Sequence, residues 1–247
     1  MNREEVIIGI HPIIEGIDSG KEFQRVFIQK DLVGDRIRQL IQELKRHQIP
    51  FQKVPKEKLN RISRKNHQGV IGFISPISYY QAEHLIPEIY EAGIPPALLF
   101  LDGVTDVRNF GAIARSAECF GFHAIIVPEK GMAPINAEAV KSSSGALLRI
   151  PIIRTKHIRS TLNFLKQSGI HLIGCTEKSP KPFHELEVLS EPCCLLLGNE
   201  HEGLTPETMQ ILDSTAQIPM VGQTQSLNVG SSAAIVMYEV LKQRIMK

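Results

Sequence analysis

Short apolar runs separated by polar, Gly- and Pro-rich stretches recur along this chain, and their character changes about a third of the way in. Before residue 75 the runs are VIIG at 6–9, RVFIQ at 25–29, FQKV at 51–54 and GVIGFI at 69–74, with a helix predicted near 35–47. In that helix Ile37, Leu40, Ile41 and Leu44 fall at i, i+3, i+4 and i+7, while Arg36, Arg38, Lys45 and Arg46 take the outer face. One side packs and the other stays wet, so residues 1–75 read as a small α/β domain. The segment 76–96 carries Pro76, Pro87, Gly93, Pro95 and Pro96 around a short helical stretch and reads as a linker. From Ala97 the pattern becomes strand then helix, repeated: ALLFL at 97–101, AIIV at 124–127, LRIPII at 148–153, HLIGC at 171–175, CCLLL at 193–197 and AQIPM at 216–220. A last helix over about 227–246 carries Val229, Ala233, Val236 and Val240 at helical spacing. Six buried runs with crossover helices predict a second domain over 97–247, a mostly parallel sheet covered on both faces.

Composition refines this picture. At 247 residues the chain can bury two cores, and its net charge of +2 hides an asymmetry. Residues 1–80 hold 14 Lys/Arg against 9 Asp/Glu, whereas 81–247 hold 14 against 17. Most of the excess lies between Lys45 and Lys65, where Lys53, Lys56, Lys58, Arg61 and Arg64 also fall and Glu57 is the one acid. A solvated surface and a polyanion-binding patch are both open readings. No run approaches the roughly 18 apolar residues of a membrane helix, and the first residues do not resemble a signal peptide, so a cytoplasmic protein with no membrane association is expected. Cys119, Cys175, Cys193 and Cys194 lack metal-ligand spacing and read as reduced core residues. Nine histidines occur without an HExxH pair, and no metal is expected.

Candidate chemistry concentrates in three polar segments: NFGAIAR at 109–115, LLLGNEHEGL at 195–204 and IPMVGQTQSLNVGSSAA at 218–234. Each sets an apolar run beside a Gly/Asn/Ser-rich turn with a helical pattern close behind. Loops at the carboxyl ends of parallel strands are where ligands bind in open α/β sheets. Familiar nucleotide signatures do not explain them. GIDSGK at 16–21 has three residues rather than four between Gly16 and Gly20, and Glu22 stands where a phosphate loop needs Ser or Thr. No GxGxxG follows a strand, and no GxSxG elbow is present.

In order and spacing, NxGAxxR, LGNExxG and IPM…SLNV resemble the three motifs of the SpoU/TrmH family of RNA ribose 2′-O-methyltransferases, within the SPOUT class. The likeness covers roughly 97–247. A softer one, carried by IIGIHPIIEGI near the start and NHQGVIGF at 66–73, relates residues 1–75 to the small substrate-binding domain of the family's ribosomal-RNA branch. The resemblance implies an α/β fold whose C-terminal parallel-sheet domain holds a trefoil knot, and S-adenosylmethionine as cofactor. Periodicity alone would have drawn an unknotted sheet. It also implies a homodimer in which the last helix helps form the interface. The expected acceptor is a guanosine ribose of large-subunit (23S) ribosomal RNA, free or in a ribosome assembly intermediate. A transfer RNA ribose methyltransferase and a non-catalytic RNA-binding protein of the same fold are the alternatives.

By the same resemblance the cofactor falls to Gly198, Ile218 and Leu227, with Leu197 and Met220 supplying an apolar slot for the adenine. Arg115 matches the family's catalytic arginine, and Asn109, Glu200, Ser226 and Asn228 match its other invariant polar positions. Helix capping is the competing role for Asn109, Ser226 and Asn228. A guanidinium stays protonated and has no acceptor, so Arg115 is expected to stabilise the developing alkoxide and orient a phosphate rather than act as a base. Many relatives read SLNVS where this chain reads SLNVG, with Ser231 and Ser232 following Gly230. A shifted hydroxyl is the expected compensation. RNA recognition is assigned to the basic N-terminal domain, whose Phe23, Phe27, Phe51 and Phe73 read as core rather than stacking platforms.

Overall fold

The structure is a computed structural model that describes residues 6–199, 202–224 and 226–246. The chain divides into two compact units, one reaching to Ser78 and taking in Ile135–Ala137, the other formed by Tyr79–Pro134 and Glu138–Lys247.

The first unit runs β1 (Val6–Ile8), α1 (Ile10–Asp18), β2 (Phe23–Gln29), α2 (Asp35–Arg46), β3 (Phe51–Val54), α3 (Lys56–Ile62) and β4 (Val70–Ile74). Its sheet has the order β1-β4-β2-β3, with β4 antiparallel to both neighbours and β2 parallel to β3. The two-residue period of a strand sends alternate side chains of β2 to opposite faces. Val26 and Ile28 join Ile13, Ile37, Leu40 and Leu44 beneath α1 and α2, while Phe27 meets Phe73, Val54 and Leu59 on the α3 side. The rings of Phe27 and Phe73 lie edge to face at 5.3 Å, both buried, as the core reading of these phenylalanines expects.

The second unit continues with β5 (Tyr79–Tyr80), α4 (Ala82–Glu91), β6 (Ala97–Asp102), α5 (Val107–Cys119), β7 (Ala124–Pro128), α6 (Ala137–Ser142), β8 (Ile152–Thr155), α7 (Ile158–Gln167), β9 (His171–Cys175), β10 (Cys193–Gly198), α8 (Pro206–Met209), β11 (Ser214–Ala216) and α9 (Val229–Ile245). Seven strands pair in the order β11-β9-β10-β6-β7-β8-β5, and every pairing is parallel. One face buries Leu98, Phe100, Ile126, Leu172 and Leu196 under α4 and α7. On the unit's other helices, α5 packs against α9 and β7, and α9 also against β10. Arg244, near the end of α9, donates to the carbonyls of Pro95 (2.7 Å), Pro96 (2.9 Å) and Glu191 (2.8 Å), which fixes the helix to the chain entering β6 and β10.

Four expectations shift. Cys119, expected in the core, is exposed at the end of α5. The segment 76–96 contains β5, paired with β8, and α4, whose Leu85, Ile86 and Ile89 join the sheet's core despite Pro87 inside the helix. The run at 148–153 is a strand only from Ile152, because Gly145 in the left-handed region opens a 3₁₀ turn over Ala146–Leu148. The run at 216–220 leaves the sheet after Ala216, since its partner β9 ends at Cys175. Among the described residues no helix is long and apolar enough to cross a membrane.

Candidate active site

β9, β10 and β11 are neighbours that end at one edge of the sheet, at Cys175, Gly198 and Ala216. The chain beyond each end, together with the start of α9, encloses a cavity of about 340 Å³. Its wall comprises Cys175–Lys178 after β9, Leu197, Gly198, Asn199, Glu202 and Gly203 around the end of β10, Ala216, Ile218 and Met220 after β11, and Ser226, Leu227, Val229 and Ser232 at α9. Leu197 is 2 % exposed and forms a dry floor, whereas Met220 and Leu227, 39 % and 40 % exposed, stand at an open mouth. The charged side chains Glu177, Lys178 and Glu202 also line it. Burial pushes the Cys175 thiol far above its ordinary range, so this sulfur is a neutral wall atom and not a nucleophile.

The loop after β10 owes its shape to a few identifiable contacts. Asn199 and Gly203 exchange backbone hydrogen bonds of 3.2 Å, Gly203 has φ +71°, and the Asn199 Oδ1 accepts the Glu202 N–H at 2.7 Å. A Cβ on Gly198 would overlap the backbone of Gly203 and Leu204, so the turn closes only over glycine. The returning chain is caught by Asp102 at the end of β6. This carboxylate is 3 % exposed, and its Oδ2 accepts both the backbone N–H (2.9 Å) and the hydroxyl (2.8 Å) of Thr205. Thr205 in turn caps α8, accepting the Thr208 N–H at 3.3 Å. Asp102 was not among the expected site residues; the signal for it is an acid closing the otherwise apolar run ALLFLD.

Asp106, not Asn109, caps α5, accepting the N–H groups of Arg108 and Asn109 at 2.9 and 2.8 Å. Asn109 lies inside the helix and accepts the Nδ2–H of Asn228 at 3.1 Å. Asn228 caps α9 through its Oδ1, which accepts the Gly230 N–H at 2.9 Å and the Ser231 N–H at 3.4 Å. One pair of amides therefore joins segments 119 residues apart in sequence. Gly111 is obligatory here as well, because a Cβ would overlap the Ser142 side chain.

All five residues expected to hold the cofactor, Leu197, Gly198, Ile218, Met220 and Leu227, line the cavity, and so does Ser226. Asn109, Asn228 and Arg115 do not; the first two meet each other beside the start of α9. Arg115 is exposed on α5 and has no ion pair or hydrogen bond among the described residues. Glu200 lies outside the described residues. Gly230 is buried, while Ser232 reaches the cavity wall two residues further on. Among the described residues, no group of three or more His, Cys, Asp or Glu side chains is placed to hold a metal ion.

This sequence matches the profile of the SpoU rRNA Methylase family over residues 96–238, and that of RNA 2′-O ribose methyltransferase substrate binding over 6–80. It is 33 % identical over 242 residues to an uncharacterised tRNA/rRNA methyltransferase of Synechocystis sp., covering 97 % of this chain but 63 % of that protein's length. It is 30 % identical over 241 residues to a protein named for the TrmH family of tRNA/rRNA methyltransferases in Staphylococcus saprophyticus, covering 98 % of this chain and 96 % of that one. In three dimensions it is similar to the SpoU methyltransferase AviRb of Streptomyces viridochromogenes, solved with the cofactor AdoMet. The TM-score is 0.62 at 22 % identity, covering 99 % of this chain and 92 % of the other.

Proposed function

The chain belongs to the SpoU rRNA methylase family, and from that membership we propose that it methylates a ribose 2′-hydroxyl in RNA with S-adenosylmethionine as methyl donor. The acceptor we infer is a guanosine of large-subunit (23S) ribosomal RNA. The observation that carries the reading is the cavity at the strand ends, into which two of the three motif segments bring their expected cofactor residues. Its volume falls within the roughly 300–1,000 Å³ of small-molecule pockets. A buried apolar floor at Leu197, backbone left uncovered by a side chain at Gly198, and a polar and charged rim suit a ligand with a flat apolar base at one end and a zwitterion at the other. Leu197, Ile218, Met220 and Leu227 would hold the adenine, and Gly198 would let the backbone approach it.

When bound, the cofactor supplies an electrophilic methyl group. The protein's own residues then have to position the ribose oxygen, keep water away and stabilise the charge that develops as the hydroxyl proton leaves. Arg115 is suited to the last task, because its exposed guanidinium is permanently charged and uncommitted among the described residues. Preorganised donors of this kind supply about 3–4 kcal/mol. Asn109 and Asn228 set the start of α9, and thereby the Ser226 and Leu227 that precede it. Family membership implies a C-terminal chain threaded through a loop as a trefoil knot.

A large-subunit ribosomal target is supported by the substrate-binding domain matched over 6–80. A homodimer is supported by the apolar side chains that α9 leaves in solvent. Ile235 is 45 % and Tyr238 53 % exposed, and Tyr238 meets the ring of Phe120 at 5.9 Å.

The test is methyl transfer from labelled S-adenosylmethionine to transcripts of 23S ribosomal RNA and to a transfer RNA pool. Label in the ribosomal transcript, released on digestion as 2′-O-methylguanosine, is the expected result. Label confined to transfer RNA would replace the acceptor, and cofactor binding without label in any RNA would point to a non-catalytic RNA-binding protein.

A further inference from the structure

The cations of the N-terminal unit fall into two electrically different groups. On α2, Arg38 lies 3.3 Å from Asp35 and Arg46 lies 3.6 Å from Glu43, so the helix partly neutralises itself. From 53 to 65 the situation differs. Lys53, Lys56, Lys58, Arg61, Arg64 and Lys65 are all exposed, Glu57 is the single acid among them, and none forms an ion pair among the described residues. Lys45 and Arg36 on α2 are also exposed and without an ion pair among the described residues, but two acids share that helix, so the denser excess of positive charge in the basic stretch lies on β3, α3 and the loop that follows.

That loop is built rather than loose. His67 is 6 % exposed, its Nε2 bonds to Asn60 Oδ1 on α3 at 2.8 Å, and its Nδ1 accepts the Gly69 N–H at 3.0 Å. An acceptor at Nδ1 requires a neutral ring that donates through Nε2, so one imidazole links the loop to α3. Gln68 is held at φ +49°, in the left-handed region that non-glycine residues rarely occupy. Arg64, Lys65 and Gln68 are thus presented outward on a braced turn, which lowers the ordering cost of binding.

Lysine on an edge strand also protects against strand-to-strand aggregation, which would account for Lys53 on β3 but not for α3 and the loop. A protein partner is disfavoured because no large apolar side chain stands exposed between 53 and 68 among the described residues, and protein interfaces need such anchors. We propose that α3 and the loop 63–69 form the face with which the N-terminal unit grips RNA, the cations contacting backbone phosphates. The proposal rests on the reading of RNA as the substrate and adds which face meets it.

The test measures affinity for a 23S ribosomal RNA transcript between 50 and 200 mM KCl. It compares Arg61→Glu/Arg64→Glu with Arg36→Glu/Lys45→Glu on α2, which changes charge equally. Arg61→Gln/Arg64→Gln serves as a milder substitution that removes the two charges without reversing them. Losing two phosphate contacts should make the slope of log K against log salt shallower by about 1.4, with the larger loss of affinity at low salt. The α2 variant should keep the wild-type slope. Equal losses in both charge-reversed variants, an unchanged slope in the Arg61/Arg64 variants, or wild-type protein that binds no RNA would each overturn the proposal. Salt-dependent binding through this face without methyl transfer would instead count against the catalytic reading alone. Methyl transfer with a slope indifferent to Arg61 and Arg64 would count against this face alone.

Discussion

Asp102 shows how far a single carboxylate can reach. It is not part of the cavity wall, yet by accepting two hydrogen bonds from Thr205 it holds the returning end of a loop whose other members, Gly198, Asn199, Glu202 and Gly203, form that wall. Asp102→Ala would leave the Thr205 N–H without its acceptor, at a cost of about 1–3 kcal/mol. Calorimetry should show S-adenosylmethionine affinity weaker by about fivefold or more in that variant, and largely restored in Asp102→Asn, which keeps an acceptor. Unchanged affinity in Asp102→Ala would show that the loop does not depend on this tether. Arg115 is predicted to behave oppositely: Arg115→Ala should lower turnover about 100-fold or more at saturating RNA while leaving cofactor affinity unchanged. Full turnover in Arg115→Lys would refute a role that needs the planar guanidinium. The three motif segments were legible in the sequence because Gly, Asn and Ser stand out against apolar runs, although the first proves to lie wholly within α5 rather than in a turn at a strand end. Asp102 was not, because its partner lies 103 residues away, and Asp106 took the capping role that Asn109 also suited.

Elements show the same division between local and tertiary information. α2 was legible almost to the residue, because its apolar stripe and charged face repeat over three turns and its core contacts follow that stripe. α4 was misread as linker because Pro87 and the flanking prolines signal a break. Leu85, Ile86 and Ile89 nevertheless bury against Leu98 and Phe100, and that packing outweighs the hydrogen bond proline cannot make. The strand expected at 216–220 stops early for a reason no local pattern contains, namely where β9 ends. α9 offers the clearest test at this scale. Asn228 caps it and also donates to Asn109, so Asn228→Ala should lower stability by about 1–2 kcal/mol and the melting temperature by a few degrees. Asn228→Asp keeps the capping oxygen and loses the Nδ2 donor; it should recover most of the stability. A melting temperature equal to wild type in Asn228→Ala would mean that neither contact matters.

Across the whole molecule, two units divide the chemistry: a seven-stranded parallel sheet with a ligand-sized cavity at its strand ends, and a smaller unit with an unneutralised cationic face. Charge asymmetry, the parallel sheet and family membership were all visible before any coordinate. The depth of the cavity and the split of the basic stretch were not, since both depend on which distant side chains meet. What the cavity holds decides the function of the larger unit. Calorimetric titration of S-adenosylmethionine into the wild-type chain and into Leu227→Arg, a substitution at the exposed mouth that leaves the core intact, addresses this most directly. Saturable binding at about one cofactor per chain, with the negative heat-capacity change of apolar burial and lost in the variant, is the predicted result. Absence of binding to the wild type, or binding that Leu227→Arg does not disturb, would contradict it.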